Sequence, residues 1–483
     1  MRNRHLLAGV AFTVLVALAH GAGLRNNDFS ASSGASIAPW RLFGDPAVAS
    51  AIRSDEELPE GMPAKAIVRN RSGLGGILQF VDAQDYRGKV MRLHGWLKVT
   101  GDEPHSVGLW LRADDAQGNT LSLENMADHR VTATSPWREH KISLYIPNDA
   151  VRLRVGVLIS GSATVEAGQM QLELPQATAA QAAAPISPLL AEIMAAIQAE
   201  SLRYTPSSEP MLQEIISQSP ERNSDDPNEA RAIGKLMLHR LGDQHSTFMP
   251  APPRDAAEVR PTVASFPQPE LHTLSREVSV LALPPFGSAT ESDSNIYAAA
   301  GAKALRRAKP QCGWIIDLRF NSGGNMWPML AAMAELLPEG TIGQFIDRVD
   351  QSTPWIRNRD RISSGGESMK LPLRTAQRAI KLPVAVVIGP STASSGEAVA
   401  IALKSVPGVR FFGQPTAGLT TANKPVKLRD GSTLMLETSR FADAAGRTYT
   451  GRLVPDERIS LEASISAAAA WLAARCHAVP KPH

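Results

Sequence analysis

Five consecutive apolar residues, Val384-Ala385-Val386-Val387-Ile388, run shortly ahead of Thr392-Ala393-Ser394-Ser395-Gly396-Glu397, and an Ala-rich helical stretch from Ala398 to Lys404 follows. An apolar run of that length reads as a buried strand, so the segment is a strand, a small-residue turn and a helix. Such a turn lifts a side chain to the end of a sheet. It also leaves the first backbone N–H groups of the helix free to bind negative charge. Two readings are open on this segment alone. It is a Ser/Thr-rich helix cap without chemistry, or it carries a serine nucleophile with its charge-stabilising donors.

The surrounding pattern is that of an α/β domain over residues 274–476 with a mixed sheet flanked by helices. Strands are expected at Val278–Leu283, Trp314–Leu318, Val384–Ile388, Val409–Phe412 and Thr433–Thr438. Helices are expected at about Ile296–Ala308, Met329–Leu337 and Ile465–Cys476. Ahead of this domain, residues 251–273 form a Pro-rich connector, and residues 187–250 a helical subdomain. Its first helix starts at Pro188 with Leu189, Leu190, Ile193, Ile197 and Leu202 at approximate helical spacing; a second runs from Pro210 to Gln218. The third starts at Asp226-Pro227-Asn228-Glu229, continues through Arg240 and leads into Leu241-Gly242-Asp243-Gln244-His245-Ser246.

Residues 28–175 lack helical periodicity and alternate instead, as in Val90–Val99 and Val107–Arg112. Further strands are expected at Lys141–Ile146 and Arg152–Ile159, with turn clusters between them, which together describe a β-sandwich. The order Trp96, Trp110, Glu124-Asn125-Met126, Trp137, Pro147-Asn148-Asp149-Ala150 and Gly156-Val157-Leu158 resembles jelly-roll, carbohydrate-binding-module-like domains fused to some bacterial proteins. The tryptophans are expected in the core of the sandwich rather than as sugar platforms. Residues 176–186 are an Ala/Gln-rich linker.

The 483 residues carry a net charge of +3 with both signs well mixed, which gives no electrostatic case for nucleic acid. Arg2 and Arg4, the apolar segment Leu6 to Leu18, and Ala19-His20-Gly21-Ala22 have the form of a secretory signal peptide over residues 1–22. The expected mature protein is exported, periplasmic or extracellular, with no transmembrane span after cleavage. In an oxidising compartment the two cysteines, Cys312 and Cys476, either pair or stand as two separate buried thiols.

Three segments carry the chemistry. Asp317-Leu318-Arg319-Phe320-Asn321-Ser322-Gly323-Gly324 follows a buried strand, and its glycines let backbone approach a substrate closely. The second is the turn at Ser394. The third is Gly413-Gln414-Pro415-Thr416-Ala417-Gly418. Together, and over about residues 186 to 476, they resemble the C-terminal processing (tail-specific) serine peptidase family, whose fold is α/β and crotonase/ClpP-like. The resemblance implies Ser394 as nucleophile. The best-known branch places a lysine base directly after the third turn, where this chain has Leu419, and Lys424 is five residues on. Nor is there room for a PDZ domain between His245 and Val278.

Leu-Gly-Asp-Gln-His-Ser around His245 is similar to the motif of the PDZ-less branch that includes the tricorn core and the interphotoreceptor retinoid-binding proteins. That likeness implies His245 as general base, a role suited to an imidazole that titrates near neutrality. The branch's orienting acid precedes a Gly-Val-x-Pro-Asp segment, and Thr450 stands at about that position here. Asp243, Glu397 and Asp456 are the substitutes. The oxyanion donors are the N–H of Ser395 with that of Gly323 or Gly324.

The expected function is an exported serine peptidase acting on a peptide or protein, with no metal or organic cofactor. Two other readings remain. A catalytically inactive relative binds a peptide or apolar ligand in the same cleft, or the N-terminal domain binds a glycan in front of an inert scaffold.

Overall fold

The computed structural model describes residues 23–31, 36–44, 49–56, 58–101, 104–127, 129–251, 266–288, 290–371 and 382–478. The signal peptide expected over 1–22 lies outside the described residues, as do residues 252–265 of the Pro-rich connector. The chain forms two compact units. One comprises residues 1–182 with 218–220, the other residues 183–217 with 221–483.

The first unit is built from two five-stranded sheets. One has the strand order Arg41–Gly44, Leu74–Asp82, Arg152–Gly161, His105–Asp114, Thr120–Glu124. The other runs Ala49–Ser54, Lys65–Asn70, Ala163–Glu173, Val90–Thr100, Ser135–Tyr145. All pairings are antiparallel. Ile77, Leu109, Leu111 and Val155 of the first sheet share one buried cluster with Val68, Leu93, Leu97 and Val165 of the second, which is the sandwich that alternation requires. The tryptophans depart from expectation. Leu93, Leu97 and Val99 point inward, so the period of two turns Trp96 outward, and Trp110 faces outward by the same rule. Trp96, Trp110 and Trp137 are half-buried, whereas Trp40 is in the core. The stretch read as a linker also contains a short helix, Ala179–Ala183.

In the second unit the apolar strands assemble as the sequence implies. The six-stranded sheet has the order Glu270–Thr273, Val278–Ala282, Gly313–Asp317, Val384–Ile388, Arg410–Gly413, Glu457–Arg458. The first pairing is antiparallel and the other four are parallel. Val386 and Ile388 pack into one buried cluster, while Ala385 and Val387 pack with Ala468 and Leu472 of the helix Leu461–Ala478. The strand is therefore covered on both faces, which is why it shows no polar alternation. Cys312, just ahead of Gly313–Asp317, is bonded to Cys476 in the last helix, with Cα atoms 5.0 Å apart.

The unit holds a second, antiparallel sheet in addition to the single mixed sheet expected. It has the order Thr247–Met249, Thr433–Ala442, Gly340–Asp347, Ser352–Arg357, Arg361–Ser364, Glu367–Lys370, and Thr421–Lys427 also pairs with Thr433–Ala442. The connector read to 273 ends as the strand Glu270–Thr273. Two helices start earlier than expected: Glu291–Arg307, capped by the Thr290 side chain, and Met326–Ala332, capped by Asn325. Pro188–Glu200, Glu209–Gln218 and Pro227–Arg240 form the helical segment, and Asp226 caps the third.

Candidate active site

Ser394 stands between the strand Val384–Ile388 and the helix Ser395–Leu403, with φ 51° and ψ −119°. A positive φ is costly for a residue with a Cβ, so the surroundings must enforce it. They do so with paired backbone groups. Thr392 Oγ1 donates to the Leu318 carbonyl (2.7 Å) and accepts from Gly389 N–H, while Ala393 N–H donates to the Asn321 carbonyl (3.0 Å). Glu397, fully buried, takes the Ser394 N–H on Oε2 (3.0 Å) and the Gly418 N–H (3.0 Å) and Thr416 hydroxyl on Oε1. Burial pushes the Glu397 carboxyl above its usual range, against the pull of those donors. Its carboxyl thus joins the serine turn to the Gly413–Gly418 turn.

His245 arrives from the other side. The helix Pro227–Arg240 ends, Gly242 turns the chain at φ 77°, and the strand Thr247–Met249 pairs with Thr433–Ala442. Asp243 Oδ1 accepts the N–H groups of His245 (2.9 Å) and Ser246 (2.8 Å), and Oδ2 accepts the Ser246 hydroxyl (2.6 Å). Asn423 Nδ2 donates to the His245 carbonyl (2.9 Å). The imidazole Nε2 then lies 2.9 Å from Ser394 Oγ, and Nδ1 lies 2.7 Å from Thr421 Oγ1. For Nε2 to accept the serine proton, Nδ1 must carry the hydrogen and donate it to Thr421. Burial lowers the pKa of His245 and the Asp243 charge partly opposes this, so the ring is biased to its neutral, proton-accepting form.

The three carboxylates considered for orienting the histidine do not reach the ring. Glu397 is spent on the serine turn. Asp243 bonds the backbone of the histidine loop. Asp456 Oδ2 accepts from Phe411 N–H (2.7 Å) in the strand Arg410–Gly413. The ring partner is the hydroxyl of Thr421, at the start of Thr421–Lys427, a residue that belongs to none of the three motifs. Lys424 is engaged with Glu200 on the surface, and Leu419 lines a cleft beside His245.

Gly323 and Gly324 have φ 104° and 110°. A Cβ on Gly323 would meet Ala393 O and Ser394 Cβ, both at 2.9 Å, so only glycine lets this loop lie against the serine. Gly323 is one of the two glycines expected as oxyanion donor, but its N–H donates to Asn321 Oδ1 (3.0 Å). Among the described residues, the N–H groups of Gly324 and Ser395 have no acceptor. Both belong to residues flanking Ser394, Ser395 as its successor and Gly324 through its carbonyl, which accepts the Ser395 hydroxyl.

Behind the histidine loop is a buried polar group. Glu437 Oε1 accepts from Arg203 Nε (2.7 Å), and its N–H donates to Ser246 Oγ (2.7 Å). Burial and the neighbouring Asp243 charge push the Glu437 carboxyl up to about 7, with Arg203 opposing.

Residues 277–459 match the model described as Peptidase family S41. The nisin-resistance protein of Lactococcus lactis subsp. lactis is 35% identical over 170 residues, which cover 35% of this chain and 52% of that protein. The chain therefore spans about half the length of this curated relative. Among solved structures, a lipoprotein from Streptococcus agalactiae aligns with a TM-score of 0.49 and 24% identity, over 60% of this chain and 98% of that one. A photosystem II D1 C-terminal processing protease aligns with a TM-score of 0.28 and 21% identity, over 45% and 49%. Residues 277–459 of this chain thus form a domain of Peptidase family S41, and the serine turn and both glycine turns fall within it.

Proposed function

We propose that the protein is an exported serine peptidase in which Ser394 is the nucleophile and His245 the general base. The observation that carries this is the 2.9 Å approach of His245 Nε2 to Ser394 Oγ on a backbone of φ 51°. In the reaction, Ser394 Oγ attacks the scissile carbonyl carbon as its proton passes to Nε2. Thr421 holds the Nδ1–H and so keeps the ring in the accepting tautomer. The tetrahedral oxyanion takes the N–H groups of Gly324 and Ser395. His245 then returns the proton to the leaving amine, and water, deprotonated by the same ring, releases the acyl group.

The N-terminal unit is a jelly roll that serves as a targeting or packing module, and the second unit has the crotonase/ClpP-like arrangement of the peptidase. Location outside the cytoplasm rests on the signal-like segment 1–22, and the Cys312–Cys476 bond suits that compartment. Labelling with a fluorophosphonate probe tests the mechanism. Ser394→Ala is expected to abolish it, and His245→Ala to slow it by at least about a hundredfold. Full labelling of Ser394→Ala would refute the assignment.

One observation favours a second reading, a non-hydrolytic binder of a peptide or apolar ligand. The histidine is backed by a neutral hydroxyl rather than a carboxylate, so a developing imidazolium lacks a bonded counter-charge. A correctly folded wild-type protein that fails to label would decide for it.

A further inference from the structure

A cleft of about 320 Å³ opens on the Thr421 side of His245. Three guanidinium groups from separate parts of the unit line it. Arg203 follows the helix Pro188–Glu200, Arg348 follows the strand Gly340–Asp347, and Arg440 lies in Thr433–Ala442. Such a convergence is uncommon without a purpose, because like charges repel and each long side chain loses rotamer freedom.

The positive charge is only partly compensated. Arg348 Nη1 donates to a neutral acceptor, the Gln198 carbonyl (2.7 Å). Arg440 Nη2 donates to the Asp347 carbonyl (3.2 Å) and to Asp350 Oδ1 (2.6 Å), but Asp350 is 83% exposed and its pairing is screened by water. The Arg440 Nε–H is buried with no acceptor among the described residues. Of the three, Arg203 has a buried carboxylate, Glu437, which lines the same cleft and whose carboxyl is pushed up to about 7 by burial and the Asp243 charge. Leu419 and Tyr449 supply apolar wall beside these groups.

We infer that this cleft is a subsite for a carboxylate of the peptide, read by Arg348 and Arg440 as a charge-assisted, fork-shaped acceptor. The inference rests on the peptidase reading for its ligand class. A carboxylate reaches the cleft from either of two sources, the free C-terminus of a short peptide or an Asp or Glu side chain near the scissile bond. The cleft adjoins the base rather than the serine, so the recognised group sits beside the cut and not on the reacting carbonyl.

Binding to full-length Ser394→Ala separates this subsite from catalysis. Three rhodamine-labelled hexapeptide pools, with acidic residues excluded from the degenerate positions, are compared by fluorescence anisotropy: free C-terminal acid, C-terminal amide, and C-terminal amide with one fixed Glu. At least one carboxylate-bearing pool is expected to bind tenfold or more tightly than the neutral amide, and which one does so identifies the source. Arg348→Gln and Arg440→Gln are each expected to erase most of that preference while the amide pool is unaffected and the melting temperature holds. Equal affinities for all three pools, no saturable binding of either carboxylate pool, or a preference that survives both arginine variants overturns the inference. If wild-type protein resists fluorophosphonate but the preference persists, the peptidase reading fails and the subsite stands.

Discussion

The partner of His245 Nδ1 is the place where a single hydroxyl decides the chemistry. Thr421→Val keeps the shape of the side chain and removes the oxygen 2.7 Å from the ring. Thr421 is 6% exposed, so bulk water does not readily replace that oxygen. A buried N–H left without an acceptor costs about 1–3 kcal/mol. The ring either bears that cost or turns away from Ser394 to avoid it, and both raise the barrier to acylation. At tenfold per about 1.4 kcal/mol, the second-order rate constant for fluorophosphonate should fall about 5- to 150-fold. Thr421→Ser restores the oxygen and should recover most of the rate. An acylation rate for Thr421→Val within twofold of wild type would refute the assignment, and so would an equal loss in Thr421→Ser.

Gly323→Ala forces a Cβ to 2.9 Å from Ser394 Cβ at φ 104°, so it should lose labelling and lower the melting temperature; Gly287→Ala, where a Cβ has no neighbour within 4 Å, is the matched control and should do neither. Because burial lowers the His245 pKa, acylation should hold at pH 6.5 and decline only at more acidic pH, read from a pH–rate profile; a decline already half complete above 6.5 would contradict this. The Glu437 carboxyl is raised to about 7, so the folded state holds its proton to higher pH than the unfolded chain. That stability is present below the unfolded pKa and is lost as pH rises through about 7, an effect of at most about 3 kcal/mol; Glu437→Gln should flatten the pH 5–8 melting curve, and an unchanged slope would count against the burial argument. Replacing Cys312 and Cys476 by serine opens a cross-link spanning 164 positions, worth about 5 kcal/mol on chain entropy, and should lower the melting temperature by roughly 10 °C; a shift under 2 °C would show that the bond adds little.

The serine turn was legible because its signals are local. A strand apolar on both faces, a run of small residues and a helix start occupy one short segment, and Asn321-Ser322-Gly323-Gly324 repeats the pattern after another buried strand. His245 was reachable only by way of what Leu419 cannot do. Thr421 was not legible, since a threonine at a strand start is commonplace, and its role comes from the pairing of Thr421–Lys427 and Thr247–Met249 with one shared strand. The strands between Gly340 and Lys370 carry little local signal either. Three of them are only four to six residues long, and the sheet joins the rest of the unit where Gly340–Asp347 pairs with Thr433–Ala442, far off in sequence. Trp96 and Trp110 are core residues by type, but the alternation around them turns them outward.

His245, the proposed general base, lies 32 residues ahead of the first residue of the family match, two residues before a three-residue strand held to Thr433–Ala442. During synthesis the histidine therefore leaves the ribosome long before the serine, and the strand that docks it follows later still. A nascent chain that ends before Thr433 lacks the strand that docks the histidine loop, so on the proposed mechanism it cannot yet bring His245 to Ser394. A fragment beginning at residue 277 keeps Ser394 and the whole family match but lacks His245.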